Sequence, residues 1–190
     1  MNKINNYFNS GKIELICGGM FSGKTEELIR RLKRAKIARL TTIIFKPIID
    51  ERYDKNHITT HDKIKLKSTS LRFSDEMIKL SHGADVIGID EAQFFDNNIV
   101  KNCRELAQTG KRIIIAGLSS DFRGDPFGPI PLLMCEADYI KKLRAICMIC
   151  GDDANFSHRI SNNYEQIMLG ASTTYEARCR SCFFKNKLSS

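Results

Sequence analysis

The stretch Ile13-Glu14-Leu15-Ile16-Cys17-Gly18-Gly19-Met20-Phe21-Ser22-Gly23-Lys24-Thr25 decides the fold. Ile13 to Cys17 is an apolar run that reads as a buried strand. Gly18 to Thr25 spells G-x-x-x-x-G-K-T, and from Glu26 to about Arg39 the apolar residues recur with helical spacing. A strand, a glycine-rich turn and a helix, in that order, form a phosphate-binding loop. Glycines let successive backbone N–H groups turn towards phosphate oxygens, and the helix N-terminus adds the positive end of its dipole. Lys24 is expected to reach the β- and γ-phosphates, and the Thr25 hydroxyl to ligate Mg²⁺.

Outward from this loop, Leu40 to Phe45 reads as a second buried strand ended by Pro47, so strand, helix and strand make a βαβ unit and a parallel sheet. Asp50 to Lys67 is polar and reads as an exposed excursion with a loose hairpin through Ile64-Lys65-Leu66. Ser74 to Leu80 reads as a helix capped by Ser74 and followed by Gly83. Asp85 to Ile89 is the next strand, Asn97 to Thr109 a helix closed by Gly110, and Lys111 to Gly117 another strand. A Gly/Pro loop from Ser119 to Pro131 precedes a helix over Leu132 to Asp138 and a strand over Lys141 to Ile146. The apolar runs then shorten, which places a domain boundary: residues 1–142 form a nucleotide-binding domain and residues 143–190 a small C-terminal domain.

The 190 residues suit one α/β domain with a small appendage. No apolar run approaches the roughly 18 residues of a membrane span. The polar first twelve residues lack the apolar core of a secretion signal, so the expected location is cytoplasmic, with no membrane partner. The net charge of +8 is compatible with a nucleic-acid partner, anionic small molecules or a solvated surface. Its densest run, Arg30 to Lys36, lies off the apolar face of the first helix, so it is read as solvated and no nucleic-acid partner is expected. Cys17, Cys103 and Cys135 are read as plain core residues.

Val86-Ile87-Gly88-Ile89-Asp90-Glu91 is an apolar strand ending in two carboxylates, a Walker B pattern. Asp90 is placed to hold Mg²⁺, and Glu91 to move a proton, either from water in a hydrolase or from a substrate hydroxyl in a kinase. Gln93-Phe94-Phe95 follows, and Asp121 to Gly128 carries Phe122 and Phe127; these aromatics suit either core packing or a slot for a flat ring. Cys147-x₂-Cys150 and Cys179-x₂-Cys182 have the spacing of a closed, structural Zn²⁺ site. His158, between the pairs, is read as a polar loop residue. A DNA-dependent ATPase module and a non-catalytic zinc-ribbon protein are the competing classes; the first lacks a second motor domain, and the intact Lys24, Thr25, Asp90 and Glu91 weigh against the second.

G-G-M-F-S-G-K-T, D-E-A-Q-F-F, D-F-R-G-D-P-F-G-P and the two cysteine pairs ending in C-F-F-K occur together in this order. The combination resembles the type II, zinc-containing cytosolic thymidine kinases, and D-F-R-G-x-P-F-G-P resembles bacterial members. The resemblance spans about residues 11 to 187. It implies an α/β fold with a RecA-like P-loop domain, a parallel-sheet core and a small zinc-binding lasso domain. It implies thymidine (or deoxyuridine) and ATP with Mg²⁺ as substrates, one structural Zn²⁺ per chain, a homotetramer, and inhibition by dTTP. By the same resemblance Glu91 is the general base towards the 5′-hydroxyl. Gly18, Gly19, Met20, Phe21, Ser22, Gly23, Lys24, Thr25, Asp90 and Gln93 bind the donor, with Asp50 and Arg52 near the phosphates. Phe122, Phe127, Gln166, Ile167, Met168, Leu169, Gly170 and Tyr175 bind the nucleoside.

Overall fold

The computed structural model describes residues 11–48, 57–59, 65–160 and 174–185. Its centre is a six-stranded sheet of β1 (Lys12–Gly18), β2 (Thr42–Pro47), β5 (Thr69–Leu71), β6 (Val86–Ile89), β7 (Arg112–Leu118) and β8 (Tyr139–Leu143), in the order β5-β2-β6-β7-β1-β8. Every pairing in it is parallel. Alternation along β1 builds two cores. Ile13, Leu15 and Cys17 face one side of the sheet, where Ile99, Cys103 and Leu106 of α3 (Asn98–Gln108) and Leu133 of α4 (Ile130–Glu136) pack with Met77 of α2 (Glu76–Leu80). Ile16 faces the other side, against Leu28, Ile29, Leu32 and Ala35 of α1 (Lys24–Ile37). Burial of each large aliphatic side chain stabilises by about 1.5–3 kcal/mol.

Both long helices end with paired carbonyl bonds that close the last turn. Arg39 N–H donates to Lys36 and Leu40 N–H to Ala35, with Arg39 in the left-handed region at φ 60. At α3 the same pattern runs from Gly110 to Ala107 and from Lys111 to Leu106.

Several local expectations change. Ser74 does not cap α2; its buried hydroxyl donates to Asp96, and the Glu76 carboxylate accepts from the amides of Arg72 and Phe73 instead. The strand expected over Lys141 to Ile146 is two: β8 completes the sheet beside β1, and β9 (Ala145–Ile146) pairs with β10 (Asp153–Ala154). The helix expected from Leu132 begins at Ile130. Cys17 and Cys103 are buried, but Cys135 is exposed, because it lies on the outer face of a seven-residue helix. The excursion does contain an antiparallel pair, β3 (His57–Thr59) with β4 (Lys65–Lys67).

Beyond β10, β11 (Phe156–Arg159) pairs antiparallel with β12 (Tyr175–Arg178), and α5 (Arg180–Lys185) packs Phe183 against Phe156 in a stack. His158 therefore lies in a strand, its ring edge-on to Phe183. No helix among the described residues is long and apolar enough to cross a membrane.

Candidate active site

The site forms where β1, β6 and β7 end. The loop after β1 turns on Gly18, where a side chain would meet the Leu143 carbonyl at 2.5 Å, so only glycine fits. The Ser22 hydroxyl and the Lys24 ammonium both donate to the Gly19 carbonyl, at 2.8 and 2.7 Å, which holds the loop round. Gly23 precedes α1 at φ 80, and Phe21 takes φ 63 without being glycine.

The carboxylate strand β6 is separated from β1 by β7, the strand order of a RecA-like sheet. The ends nevertheless converge: the Thr25 hydroxyl donates to Asp90 at 3.2 Å, and Asp90 is buried. Glu91 follows in the left-handed region at φ 51, an unusual conformation for a residue with a side chain. Its carboxylate accepts from the Gln93 side-chain amide, while the Gln93 side-chain oxygen accepts from Leu118 N–H at 2.9 Å. Gln93 thereby ties the end of β6 to the end of β7.

The loop after β7 is shaped by Asp121, whose buried carboxylate accepts from the N–H groups of Arg123 and Asp125. It returns to Gln93 at Gly128, where φ is 51 and a side chain would meet the Gln93 carbonyl at 2.2 Å. That approach sets Phe127 edge-on to Phe94 at 5.5 Å between ring centres. Phe95, in contrast, is absorbed into the core.

Phe122 is covered from the C-terminal lobe. The Arg159 guanidinium lies 3.8 Å from its ring centre and donates to the Tyr175 hydroxyl at 2.6 Å. Arg159 and Tyr175 are directly opposed in the β11–β12 register. The Ser157 hydroxyl, two residues earlier on β11, accepts from Met20 N–H at 2.9 Å and joins the lobe to the loop. Sequence reasoning missed Ser157, Arg159 and Asp121; the two-residue spacing of Ser157 and Arg159 was the available sign that both face one way.

The structure thus brings together the loop, Asp90, Glu91, Gln93, Phe122, Phe127 and Tyr175. Asp50, Arg52, Gln166, Ile167, Met168, Leu169 and Gly170 lie outside the described residues.

The four sulfurs of Cys147, Cys150, Cys179 and Cys182 lie within 4.8 Å of one another. Tetrahedral thiolate coordination at 2.3 Å needs sulfur separations of about 3.8 Å, so this donor set fits Zn²⁺. Burial works against ionisation of Cys147, yet backbone N–H groups about it bring its thiol down to about 6. Hydrogen bonding to Cys179 and Cys150 pushes Cys182 up to about 12.

A second charged cluster joins β1 to α1. Glu14 accepts from Arg31 and Arg112, and Glu27 from Arg30 and Arg31, with Lys141 at 3.2 Å. Part of the basic run is therefore neutralised within the fold, and Lys33 and Arg34 are left on the exposed face.

A family model described as thymidine kinase matches residues 11–183. The thymidine kinase of Bacteroides thetaiotaomicron is 52% identical over 175 residues, covering 92% of this chain and 88% of its own. That of Porphyromonas gingivalis W83 is 50% identical over 184 residues, covering 95% and 90%. That of Rhodothermus sp. is 50% identical over 173 residues, covering 91% and 81%. With the loop, the paired carboxylates and the cysteine cluster in one chain, these likenesses have one reading: the chain belongs to the thymidine kinase family.

Proposed function

We propose that the protein is a thymidine kinase that transfers the γ-phosphoryl group of ATP to the 5′-hydroxyl of thymidine, and of deoxyuridine, giving the 5′-monophosphate for DNA precursor salvage. The observation that carries this reading is the meeting of Thr25 with Asp90 at the glycine loop, with Glu91 next in the chain, in a member of this family.

Residues Gly18 to Thr25 cradle the donor phosphates. Lys24 exchanges its bond to the Gly19 carbonyl for phosphate oxygens and takes up charge as transfer proceeds. Thr25 and Asp90 would hold Mg²⁺, which would supply positive charge against the donor phosphates. Glu91 orients the 5′-hydroxyl and accepts its proton. Gln93, read from the resemblance as a donor-side residue, is committed at both ends of its amide and here fixes the direction of Glu91. Phe122, Phe127 and Tyr175 form the nucleoside side, with Gln166 to Gly170 reading the base edge. Together they exclude water, so that transfer outruns hydrolysis. Asp50 and Arg52 assist at the phosphates.

On this reading residues 1–142 hold the donor and residues 143–190 close over the acceptor. The four cysteines hold one structural Zn²⁺. Family membership further supports a cytoplasmic homotetramer inhibited by dTTP.

A panel of nucleosides incubated with γ-labelled ATP tests the activity. Label is expected on thymidine and deoxyuridine, and Glu91→Gln is expected to abolish transfer while the protein still binds an ATP analogue. Release of free phosphate only when DNA is added, with no nucleoside labelled, would overturn the kinase reading.

A further inference from the structure

In the loop motif, four positions between the first glycine and Gly23-Lys24-Thr25 are unconstrained by phosphate, since the phosphate is met by backbone amides. Phe21 occupies one of them, in the left-handed region at φ 63. An aromatic ring offers nothing to a phosphate, and a side chain is unfavourable at this φ. Its ring is packed elsewhere. It lies against the apolar cluster of Ala145, Cys147, Ala154, Ala177 and Cys179, with Cys182 alongside. Two members of that cluster, and Cys182 beside it, are cysteines of the metal-fitting set.

The neighbours of Phe21 make the same connection. Met20 N–H donates to Ser157, and at Gly19 a side chain would stand 3.2 Å from the Asn155 carbonyl. Three consecutive loop residues therefore rest on the C-terminal lobe, and that lobe has only a small core of its own to hold its shape. In small lobes of this kind a structural metal supplies the order that a core cannot.

We propose that Phe21 is a positioning residue coupling metal retention at Cys147, Cys150, Cys179 and Cys182 to nucleoside triphosphate binding at residues 18–25. With the four sulfurs drawn together, Cys147, Cys179 and the paired Ala145 and Ala154 present a fixed surface. Phe21 seated on that surface holds the left-handed turn, and the turn aims the loop amides. The inference rests on the donor-loop reading above. Because coupling between two bound species is reciprocal, it makes a prediction about the metal itself: bound nucleotide must tighten metal binding by the same factor that the metal tightens nucleotide binding.

The test uses zinc-loaded protein in equilibrium competition with a zinc-selective chromophoric chelator, with and without a non-hydrolysable ATP analogue and Mg²⁺. Calorimetry first sets the saturating analogue concentration for each variant. In the unaltered protein the analogue is expected to lower the apparent Kd for zinc about tenfold, within the usual range for coupled sites. In Phe21→Ala the effect is expected to fall below twofold, and Phe21→Leu is expected to restore most of it. Zinc affinity indifferent to the analogue in the unaltered protein overturns the proposal without any variant, as does a full effect in Phe21→Ala. Failure of the unaltered protein to bind the analogue at all is a different result: the donor-loop reading falls, and the coupling with it.

Discussion

The side-chain amide of Gln93 bridges the Glu91 carboxylate and the Leu118 backbone N–H. One end of the amide therefore reports on Glu91, the proposed base, and the other on the end of β7. Glu91 itself stands on a strained left-handed backbone, so its carboxylate direction depends on such a tether. Gln93→Leu removes both bonds at similar volume. The expected result is a fall in kcat of about 10–100-fold, the scale of a misplaced catalytic group, with the Kd for an ATP analogue changed little. Steady-state kinetics combined with calorimetry check it; loss of analogue binding in parallel with kcat would instead assign Gln93 to the phosphates directly.

Arg159 is buried, stacked on Phe122 and bonded to the Tyr175 hydroxyl. It joins Phe122 and Tyr175, two aromatic members of the proposed nucleoside side, without having to touch the nucleoside. Arg159→Met keeps the apolar length and loses the planar cation. A cation–π contact removed from a sheltered site is worth about 0.5–2 kcal/mol, so the KM for thymidine is expected to rise several-fold to tenfold with the KM for ATP unchanged. Arg159→Lys is expected to rescue little, because an ammonium lacks the flat face and the fork.

The contrast between Phe122 and Arg159 shows what a sequence discloses. Gly18 to Thr25, Asp90 with Glu91, and the two cysteine pairs are local patterns whose chemistry is dictated by spacing, and the structure brings each set together. The apolar run Ile13 to Cys17 read as a buried strand, and the structure packs both faces of β1, with Ile13, Leu15 and Cys17 on one side and Ile16 on the other. Ser74 read as a cap, because Ser before acidic residues is a local signal; its actual partner, Asp96, is 22 residues away and reached only through the fold. β5 has three residues and no apolar run, so its place at the sheet edge follows from pairing with β2 and not from composition. Arg159 carries no local signal of its role, which comes from a register that sets it opposite Tyr175.

The cysteine cluster leads to a stoichiometry. Four sulfurs within 4.8 Å, with no other ligand type grouped with them among the described residues, fit one closed site, so metal analysis of reduced protein is expected to find about one Zn²⁺ per chain. Cys179→Ser is expected to reduce zinc content strongly and to lower the Tm, since removing one of four thiolates opens the site. Zinc-free protein with unaltered thermal stability would sink this reading of the cluster.

Glu27 gives the pH dependence. It is buried on α1, and the Arg30 guanidinium first, then Arg31 and Lys141, bring its carboxyl from an ordinary 4.5 down to about 2 against the opposing effect of burial. Glu14, despite its burial, is also held below the usual range by Arg112 and Arg31. A carboxyl whose folded pKa is depressed binds its proton more weakly folded than unfolded. Its stabilising contribution is complete above the unfolded value, near 4.5, and is lost as pH falls towards about 2. Glu27→Gln is therefore expected to cost about 1–3 kcal/mol at neutral pH, the range for a charged hydrogen-bonding group whose partners are left unsatisfied. The difference between the two proteins is expected to shrink steadily below pH 4.5. Urea unfolding at stepped pH checks this, and a difference that stays constant down to pH 3 would show that Glu27 stabilises the fold by packing alone.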